Sequence, residues 1–548
     1  MTTIRWSDWS DAAFARAREE RRPVLLALTA SWCHACHRMD EETWGDPGVA
    51  AAVERATVPV RVDADARPDV YDRYHAGGLP STMLLTPEAG FIRGGTFLSR
   101  PQLFAFLEAG LRDFAGDRRP AGRGGRAPSA PANLVDEVVA RLRRRADLEH
   151  GGFGVAPKVP DVHALVLLLR RWRVSADADL RRIVRTSLDA ISTHLRDPRD
   201  GGFFRYAAGR DWSGPHTEKL ALDQAQLVRL LLEAGVSLGE PAYVDAARGA
   251  LAQIRGRLAD SGGRIFSSIA ADPQYRADRA PDAEDAPEVD QRRFAAASAA
   301  VVSAGVLCRA VTGEDFGFEP EYRRRAPMGA IPHRLDAPDE LHGLLRDQTL
   351  GLRAAIDEYR LEGDPALLGW ARQVAEWSIA HLWDERASAF RSEPAVPGGL
   401  LDLPPMFPLV PNAEMALGLV ELADHGGETA YRTYAQRLLD ALSAEASVSP
   451  VGTALALVSQ RLAEAPAEAD VLGSPGDAAA RDLSRAVLTA LGPTSVIRRQ
   501  PGVPSLTLCV GELCLPSLDS PAELVQTLVD LGLAPRSILT NYSAAAGG

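Results

Sequence analysis

Two cysteines separated by two residues, each followed by a histidine, constrain this chain more than any other feature. The pentapeptide at residues 33–37 (Cys-His-Ala-Cys-His) follows an apolar run at 23–28, and only five cysteines occur in 548 residues. An apolar run of this length, followed by a short turn, predicts a strand that ends where a helix begins. Cys33 is then expected at a helix N-terminus, where the helix dipole stabilises a thiolate.

The first 117 residues predict alternating helices and strands. The pattern predicts a helix at 10–21, strands at 23–29, 58–62, 81–86 and 91–97, and a closing helix at 100–114. Leu79-Pro80 directly precedes the third strand. This order is the thioredoxin arrangement, in which that proline is cis and faces the cysteine pair. We therefore predict a thioredoxin-like domain over residues 1–117.

Four interpretations of the cysteine pair are open. A dithiol redox site would use Cys33 as the attacking thiolate and Cys36 as the resolving thiol, with His34 and His37 lowering the thiol pKa and Pro80 shaping the substrate groove. Cys-x-x-Cys-His also matches the attachment motif of c-type haem, and the two Cys-His pairs could bind zinc or copper. A thioredoxin-like core without activity is the fourth. The redox interpretation is favoured, because haem attachment needs export and such close neighbours cannot easily supply four tetrahedral corners.

Length, charge and hydropathy limit the remaining classes. A chain of 548 residues is too long for one core, so several domains are expected. The mean hydropathy of −0.11 is typical of a soluble protein. A net charge of −12 argues against nucleic-acid and membrane partners. Neither a signal peptide nor a run of about 18 apolar residues is visible, so we expect a cytoplasmic protein with mostly reduced thiols.

Composition and periodicity divide the rest of the chain. A Gly-, Pro- and Arg-rich stretch at 118–132 predicts a linker. Paired helical periods over 133–465 and a weak internal repeat predict a helical toroid. Residues 466–548 return to an α/β pattern, with strands at 470–473, 495–498 and 505–510. The fold class is thus a multidomain combination of α/β and α parts.

A second group of candidate site residues centres on the two lysines. Only two of the 61 basic residues are lysines, which suggests positions that need a compact ammonium. Both lie among aromatic and charged residues, as a site for a sugar or other polyol requires, with His216 and Glu218 as proton-transfer groups. The alternative is a structural salt-bridge network. The group comprises Lys158, Arg205, Tyr206, Asp211, Trp212, His216, Glu218, Lys219 and Asp223.

The other three cysteines predict no chemistry of their own. Cys308 lies in an apolar helical stretch and is expected in a core. Cys509 and Cys514 lie on a predicted strand-turn-strand, where buried free thiols are expected. A hairpin disulfide or a metal pair is the alternative.

Several separate motifs follow one another along the chain, at 31–39, 62–63, 67–70, 77–82, 151–154, 157–158, 205–206, 212, 215–219 and 508–516. In this order they resemble the spermatogenesis-associated protein 20 family, which has bacterial and eukaryotic members. The resemblance implies a thioredoxin-like domain of unknown function and a six-hairpin (α/α)6 barrel, similar to N-acylglucosamine 2-epimerases and glycosidases. The chain differs from the family pattern at Ala35, Leu79 and Thr217, where aromatic residues are usual.

Motifs and resemblance together predict a bacterial, cytosolic thiol-disulfide oxidoreductase module fused to a carbohydrate-type barrel. We expect a protein disulfide substrate or redox partner, a carbohydrate ligand in the barrel, and no cofactor or resident metal. The alternatives are a sugar epimerase or isomerase acting in the barrel, and a scaffold that binds a glycan or a protein without catalysis.

Overall fold

The computed structural model describes residues 4–116, 133–272, 274–275, 286–326, 328–395, 403–448 and 452–534. The predicted linker at 118–132 lies outside them. The chain divides into two compact units. Unit 1 comprises Met1–Arg126 with the separate segments Ala270–Pro273 and Ser392–Pro408. Unit 2 comprises Ala127–Ile269, Gln274–Arg391 and Leu409–Gly548.

Unit 1 has a four-stranded sheet in the order β2-β1-β3-β4, with β1 and β2 parallel and β3 and β4 antiparallel to their neighbours. This is the predicted thioredoxin-like fold. The α3 and α4 helices were not predicted from the sequence. The elements are α1 Asp11–Glu20, β1 Val24–Thr29, α2 His34–Met39, α3 Pro47–Ala56, β2 Val58–Asp63, α4 Pro68–Tyr74, β3 Ser81–Leu85, β4 Phe91–Gly95 and α5 Arg100–Ala115; a π-helical turn at Asp40–Trp44 follows α2.

Both faces of the unit 1 sheet are buried, because strand β1 is apolar on both sides. Leu26 and Leu28 face one core, with Phe14 of α1. Leu25 and Ala27 face the other core, with helices α3 and α5. A strand covered on both faces reads as a continuous apolar run, which is the pattern that the sequence has at 23–28.

Two segments distant in sequence complete unit 1. The Ala271 N–H donates to the carbonyl of Trp32, at 3.3 Å, one residue before Cys33. In the second segment, Leu403 packs against the unit 1 core and the Pro404 carbonyl accepts a hydrogen bond of 2.9 Å from Arg73. Neither contact was predicted from the sequence.

Unit 2 contains a closed ring of six inner helices, in which α7, α9, α11, α13, α15 and α17 each pack on the next and α17 packs on α7. The others lie outside the ring, so the predicted six-hairpin barrel is confirmed. The helices are α6 Leu134–Arg145, α7 Val162–Ser175, α8 Ala178–His194, α9 Ala221–Leu238, α10 Pro241–Arg257, α11 Ala295–Thr312, α12 Glu321–Arg324, α13 Leu345–Glu362, α14 Pro365–Leu382, α15 Leu409–Gly426, α16 Ala430–Val448 and α17 Thr453–Ala463.

Short strands link the helices of the barrel. The first two pair with each other, the next three form a small sheet, and the last two pair with each other. Their narrow ribbons hold the loops that connect outer to inner helices. The strands are β5 Tyr206–Ala207, β6 Pro215–His216, β7 Lys219–Leu220, β8 Ser268–Ile269, β9 Val289–Asp290, β10 Trp383–Asp384 and β11 Ala389–Phe390.

The inner helix α11 corrects one expectation. It is long and apolar enough to cross a membrane by length and composition alone, whereas no such run was expected from the sequence. Within unit 2, 78% of that window is buried. It packs on α9 and α13, as a core helix of a barrel does.

A small α/β region completes unit 2. Its sheet has the order β13-β12-β14-β15, and α18 packs on α11 and α13 of the barrel. Ala310 and Leu361 of the barrel share one apolar core with this sheet. The elements are β12 Glu468–Leu472, α18 Ala478–Leu491, β13 Val496–Gln500, β14 Ser505–Val510, β15 Leu513–Cys514 and α19 Pro521–Asp530.

Candidate functional sites

The cysteine pair lies where the central strand of unit 1 meets a helix. β1 ends at Thr29, and Cys33 is the N-cap residue of α2. The Sγ atom of Cys33 accepts a hydrogen bond of 3.2 Å from the Cys36 N–H. The two sulfurs form a disulfide, with Cα atoms 5.2 Å apart. A helix N-cap thus presents Cys33 to backbone donors, which favour its thiolate once the pair is reduced.

The surroundings of the pair are those of a thioredoxin-like site. The Leu79-Pro80 peptide bond is cis, and Pro80 is buried. Trp32 is buried, and its indole N–H donates to the Asp65 carboxylate at 2.9 Å. These interactions anchor the loop that carries the first cysteine.

The two histidines of the motif differ in exposure. His34 begins α2 and is partly buried, whereas His37 is exposed. Over the described ranges, no group of three or more His, Cys, Asp or Glu side chains is placed to hold a metal ion.

Lys158, one of the two lysines in the expected barrel site, is fully buried. Its Nζ donates to the Asp147 carboxylate at 3.0 Å and to the carbonyls of Gly151 and Gly154 at 2.7 and 3.2 Å. An ammonium has three donors, so these contacts use all of them. Burial opposes ionisation of Asp147, but hydrogen bonds from Arg210 and Lys158 outweigh it and lower the Asp147 pKa. Lys158 holds a loop together.

Lys219 has the same role in the next hairpin. Its Nζ donates to the carboxylates of Asp197 and Asp200, at 2.7 Å in each case. The loops at 147–153 and 197–203 repeat one backbone hydrogen bond. In each loop the first residue is an Asp, and its N–H donates to the carbonyl of the second Gly of a Gly-Gly pair. Each lysine therefore closes a repeated barrel loop, which is the structural salt-bridge role that the sequence left open as the alternative.

Two more expected site residues also support loops. Trp212 is 1% exposed, and its indole N–H donates to the His150 carbonyl at 2.8 Å. Asp211 is exposed and accepts hydrogen bonds from Ser213 within its own turn. Their contacts account for the aromatic and acidic residues of this stretch without a ligand.

The remaining five expected residues form one connected group. The rings of Tyr206 and His216 stack, with centroids 4.0 Å apart. Glu218 lies 4.0 Å from both His216 Nδ1 and the Arg205 guanidinium, which also lies 3.6 Å from Asp223. Burial, with the charge of Arg205, lowers the pKa of His216. His216 is thus a neutral imidazole near neutral pH, next to a carboxylate.

A cavity of about 90 Å³ lies within the helical ring and is lined by all six inner helices. Charged side chains from different helices pair across it. Arg170 donates to Glu233 at 2.8 and 3.0 Å. Asp357 accepts from Arg229 at 2.5 Å and from Ser303 at 2.6 Å. The lining of the cavity therefore combines charged side chains with apolar ones.

His163 and Glu414 pair with each other in the lining of this cavity. His163 Nε2 lies 3.0 Å from Glu414 Oε1. Burial opposes protonation of His163, but the hydrogen bond and charge of Glu414 outweigh it and raise its pKa. Arg346 acts electrostatically on both Glu414 and Asp223. Sequence reasoning missed these residues; charged residues in otherwise apolar inner helices were the available signal.

The C-terminal cysteines differ from the expectation of buried free thiols. Cys509 and Cys514 are directly opposite on β14 and β15 and form a disulfide, and Cys514 is exposed. The hairpin alternative was therefore the right one. Cys308 is free and buried, as expected, and burial raises the pKa of its thiol to about 11.

Together the observations define a protein with a Cys-x-x-Cys thioredoxin-like domain and a six-hairpin helical barrel. Residues 1–109 match the family model Thioredox_DsbH, described as a protein of unknown function, DUF255. The chain is similar to human spermatogenesis-associated protein 20, at 29% identity over 50% of this chain and 40% of the human protein. The predicted resemblance is confirmed, and this chain spans less than half the length of that relative. An animal relative does not support the expected bacterial source.

Two solved structures are similar to parts of this chain. A sugar epimerase from a ruminal bacterium aligns with 57% of this chain and 84% of its own, at 14% identity and a TM-score of 0.46. A structure named DsbH oxidoreductase aligns with 20% of this chain and 85% of its own, at 15% identity and a TM-score of 0.19.

Proposed function

We propose that unit 1 is a thiol-disulfide oxidoreductase that acts on protein disulfides. The observation that carries this is the position of Cys33, at the N-cap of α2 with its sulfur accepting the Cys36 N–H at 3.2 Å. A sulfur in this position is stabilised as the thiolate, which is the attacking form.

The exchange needs only the two cysteines. The Cys33 thiolate attacks one sulfur of a substrate disulfide, forms a mixed disulfide and releases the other substrate sulfur as a thiolate. The Cys36 thiolate then attacks Cys33 and releases the second substrate sulfur. The products are a reduced substrate and the Cys33–Cys36 disulfide, which is the form in the structure. Pro80 would border the groove for the substrate chain.

Reduction of insulin disulfides by the full chain, with dithiothreitol as electron donor, tests this proposal. We expect Cys33→Ser to lower the rate to that of dithiothreitol alone. We expect Cys36→Ser, once reduced and freed of dithiothreitol, to accumulate mixed disulfides with insulin on Cys33. Cys308→Ser is the matched control, since Cys308 is buried and free. Equal rates for the wild type and Cys33→Ser would refute the proposal.

The histidines have separable roles in this proposal. His34 is partly buried at the start of α2, and a positive charge there favours the thiolate; His37 is exposed. We expect His34→Ala to move the pH profile of Cys33 alkylation upward more than His37→Ala does. Equal profiles would remove His34 from the mechanism.

We propose a cytoplasmic location for this activity. Cytosolic thiols would return the Cys33–Cys36 disulfide to the dithiol that reduces substrates. Fractionation of cells that express the full chain should recover it with cytosolic markers; recovery in an exported fraction would contradict this.

A second candidate function is carbohydrate binding, or sugar epimerisation, in the barrel. The observation that favours it is the connected group in which His216 stacks on Tyr206 and lies 4.0 Å from the nearly buried Glu218. An aromatic face beside charged groups suits a polyol, and a neutral imidazole beside a carboxylate suits proton transfer at a sugar carbon.

Incubation of the full chain with a sugar panel in D₂O, followed by NMR, tests both parts. Binding would broaden or shift sugar resonances, and epimerisation would introduce deuterium at the reacting carbon. We expect His216→Ala to abolish deuterium incorporation, and Glu218→Gln to reduce it strongly. Sugar resonances unchanged by the wild type would exclude both, and binding without deuterium would leave a binding barrel.

A further inference from the structure

The second disulfide lies on a hairpin at the edge of the C-terminal sheet. Cys509 of β14 is directly opposite Cys514 of β15, with Cα atoms 4.1 Å apart. The Leu515 N–H donates to the Leu508 carbonyl at the neighbouring position. The cysteines thus occupy a non-hydrogen-bonded position of the ladder, where opposed residues are closest.

The hairpin is held by other interactions. β14 pairs with β12 along five residues. Leu506, Leu508, Leu515 and Leu518 are all buried in the core of this region. A disulfide that closes so short a loop also restricts the unfolded chain little. The Cys509–Cys514 disulfide can therefore be reduced without unfolding of this region.

One sulfur position of this disulfide is accessible. β15 is the edge strand of the sheet, and Cys514 is exposed. Leu513 beside it is 43% exposed, and among the described residues no atom lies within 4 Å of the position that a Cβ at Gly511 would take. Exposed disulfides are the labile ones, because a thiolate can approach along the S–S axis. An exposed apolar side chain next to the bond offers a contact for the approaching protein.

We propose that Cys509–Cys514 is a second thiol-disulfide site, whose reductant is a protein dithiol, namely the reduced Cys33/Cys36 pair of the same or another copy of this chain. The inference rests on the proposed function of unit 1. It assigns to the C-terminal hairpin the role of electron acceptor.

The bonds and electrons of the exchange balance with these four cysteines alone. The Cys33 thiolate attacks Sγ of Cys514, which forms a Cys33–Cys514 bond and releases Cys509 as a thiolate. The Cys36 thiolate then attacks Cys33, forms the Cys33–Cys36 disulfide and releases Cys514 as a thiolate. One disulfide is reduced and one dithiol is oxidised, and the two thiolates of the hairpin take up the two protons.

The full-length Cys36→Ser variant tests the first step, because its Cys33 thiol has no resolving partner. We expect mass spectrometry after alkylation and non-reducing digestion to find a Cys33–Cys514 cross-linked peptide, with Cys509 alkylated. A monomeric product would show exchange within one copy, and a dimeric product exchange between copies. Adding Cys308→Ser should leave the yield unchanged, since Cys308 is buried.

Rates of reduction test the complete exchange. With limiting dithiothreitol, we expect the hairpin disulfide to be reduced about tenfold faster in the wild type than in a Cys33→Ser, Cys36→Ser double variant. Equal rates together with no Cys33–Cys514 peptide would overturn the inference. Insulin reduction by the same wild-type sample separates the two proposals: if it persists, only the hairpin role fails, and if it is absent, the proposed function of unit 1 fails as well.

Discussion

Replacement of Lys158 by methionine should destabilise the barrel strongly. The variant keeps most of the side-chain volume and removes the ammonium, which is 0% exposed. Asp147 and the carbonyls of Gly151 and Gly154 then lose their shared donor. Breaking a buried ion pair by removing one partner costs about 3–5 kcal/mol.

The lower part of this range of about 3–5 kcal/mol applies to Lys158→Met, because Arg210 remains beside Asp147 as a second cation. Arg210 donates to both carboxylate oxygens of Asp147, at 2.8 and 3.1 Å, and stays in the variant. We therefore expect Lys158→Met to lower the free energy of unfolding by about 3 kcal/mol. Arg210→Ala is the matched control: its side chain is 48% exposed, and exposed pairs contribute roughly 1 kcal/mol or less.

Urea unfolding of the full chain, followed by far-UV circular dichroism, measures both losses through the helices of the barrel. If Lys158→Met costs no more than Arg210→Ala, the ammonium does not hold this loop, and the structural role given to Lys158 is refuted.

Two further predictions concern the same barrel. Gly152→Ala should lower the free energy of unfolding by roughly 1–3 kcal/mol more than Gly476→Ala does. Both glycines have a positive φ, but of the two only Gly152 lies so that a new Cβ would meet the Trp212 ring, at 2.8 Å. Equal losses in urea unfolding would contradict this. The pKa of His163 is higher in the folded protein than in the unfolded chain, where it is about 6.5. Its pairing with Glu414 therefore stabilises the fold fully below the pKa of the unfolded chain, and this stabilisation is lost as the pH rises through the pKa of the folded protein. The difference in the free energy of unfolding between the wild type and His163→Gln should therefore shrink as the pH rises. A difference that stays constant from pH 6 upward would exclude this contribution.

Most elements could be predicted because their signals are local. Helix α8 spans Ala178–His194 and α14 spans Pro365–Leu382, within the paired helical periods predicted over 133–465. In these stretches apolar residues recur with the helical period over many turns. The short α12, Glu321–Arg324, was missed because four residues are too few for a period to show.

The candidate barrel site was only partly predictable. Tyr206, His216 and Glu218 are close in sequence, so one loop motif contained them. The His163–Glu414 pair joins residues 251 positions apart, and no local pattern relates them. Only closure of the helical ring brings the first turn of α7 to α15.

By itself, the sequence determined the place of Cys33 at a strand-to-helix junction, the paired helices of the barrel and the importance of the two lysines. Tertiary structure alone decided what those lysines do. Burial removes Lys158 and Lys219 from water, so each ammonium must find carboxylates, and Asp147 and Asp197 are supplied by folding of the preceding loops. Composition shows that lysine is rare in this chain, but only packing decides whether a lysine side chain faces a ligand or another part of the chain.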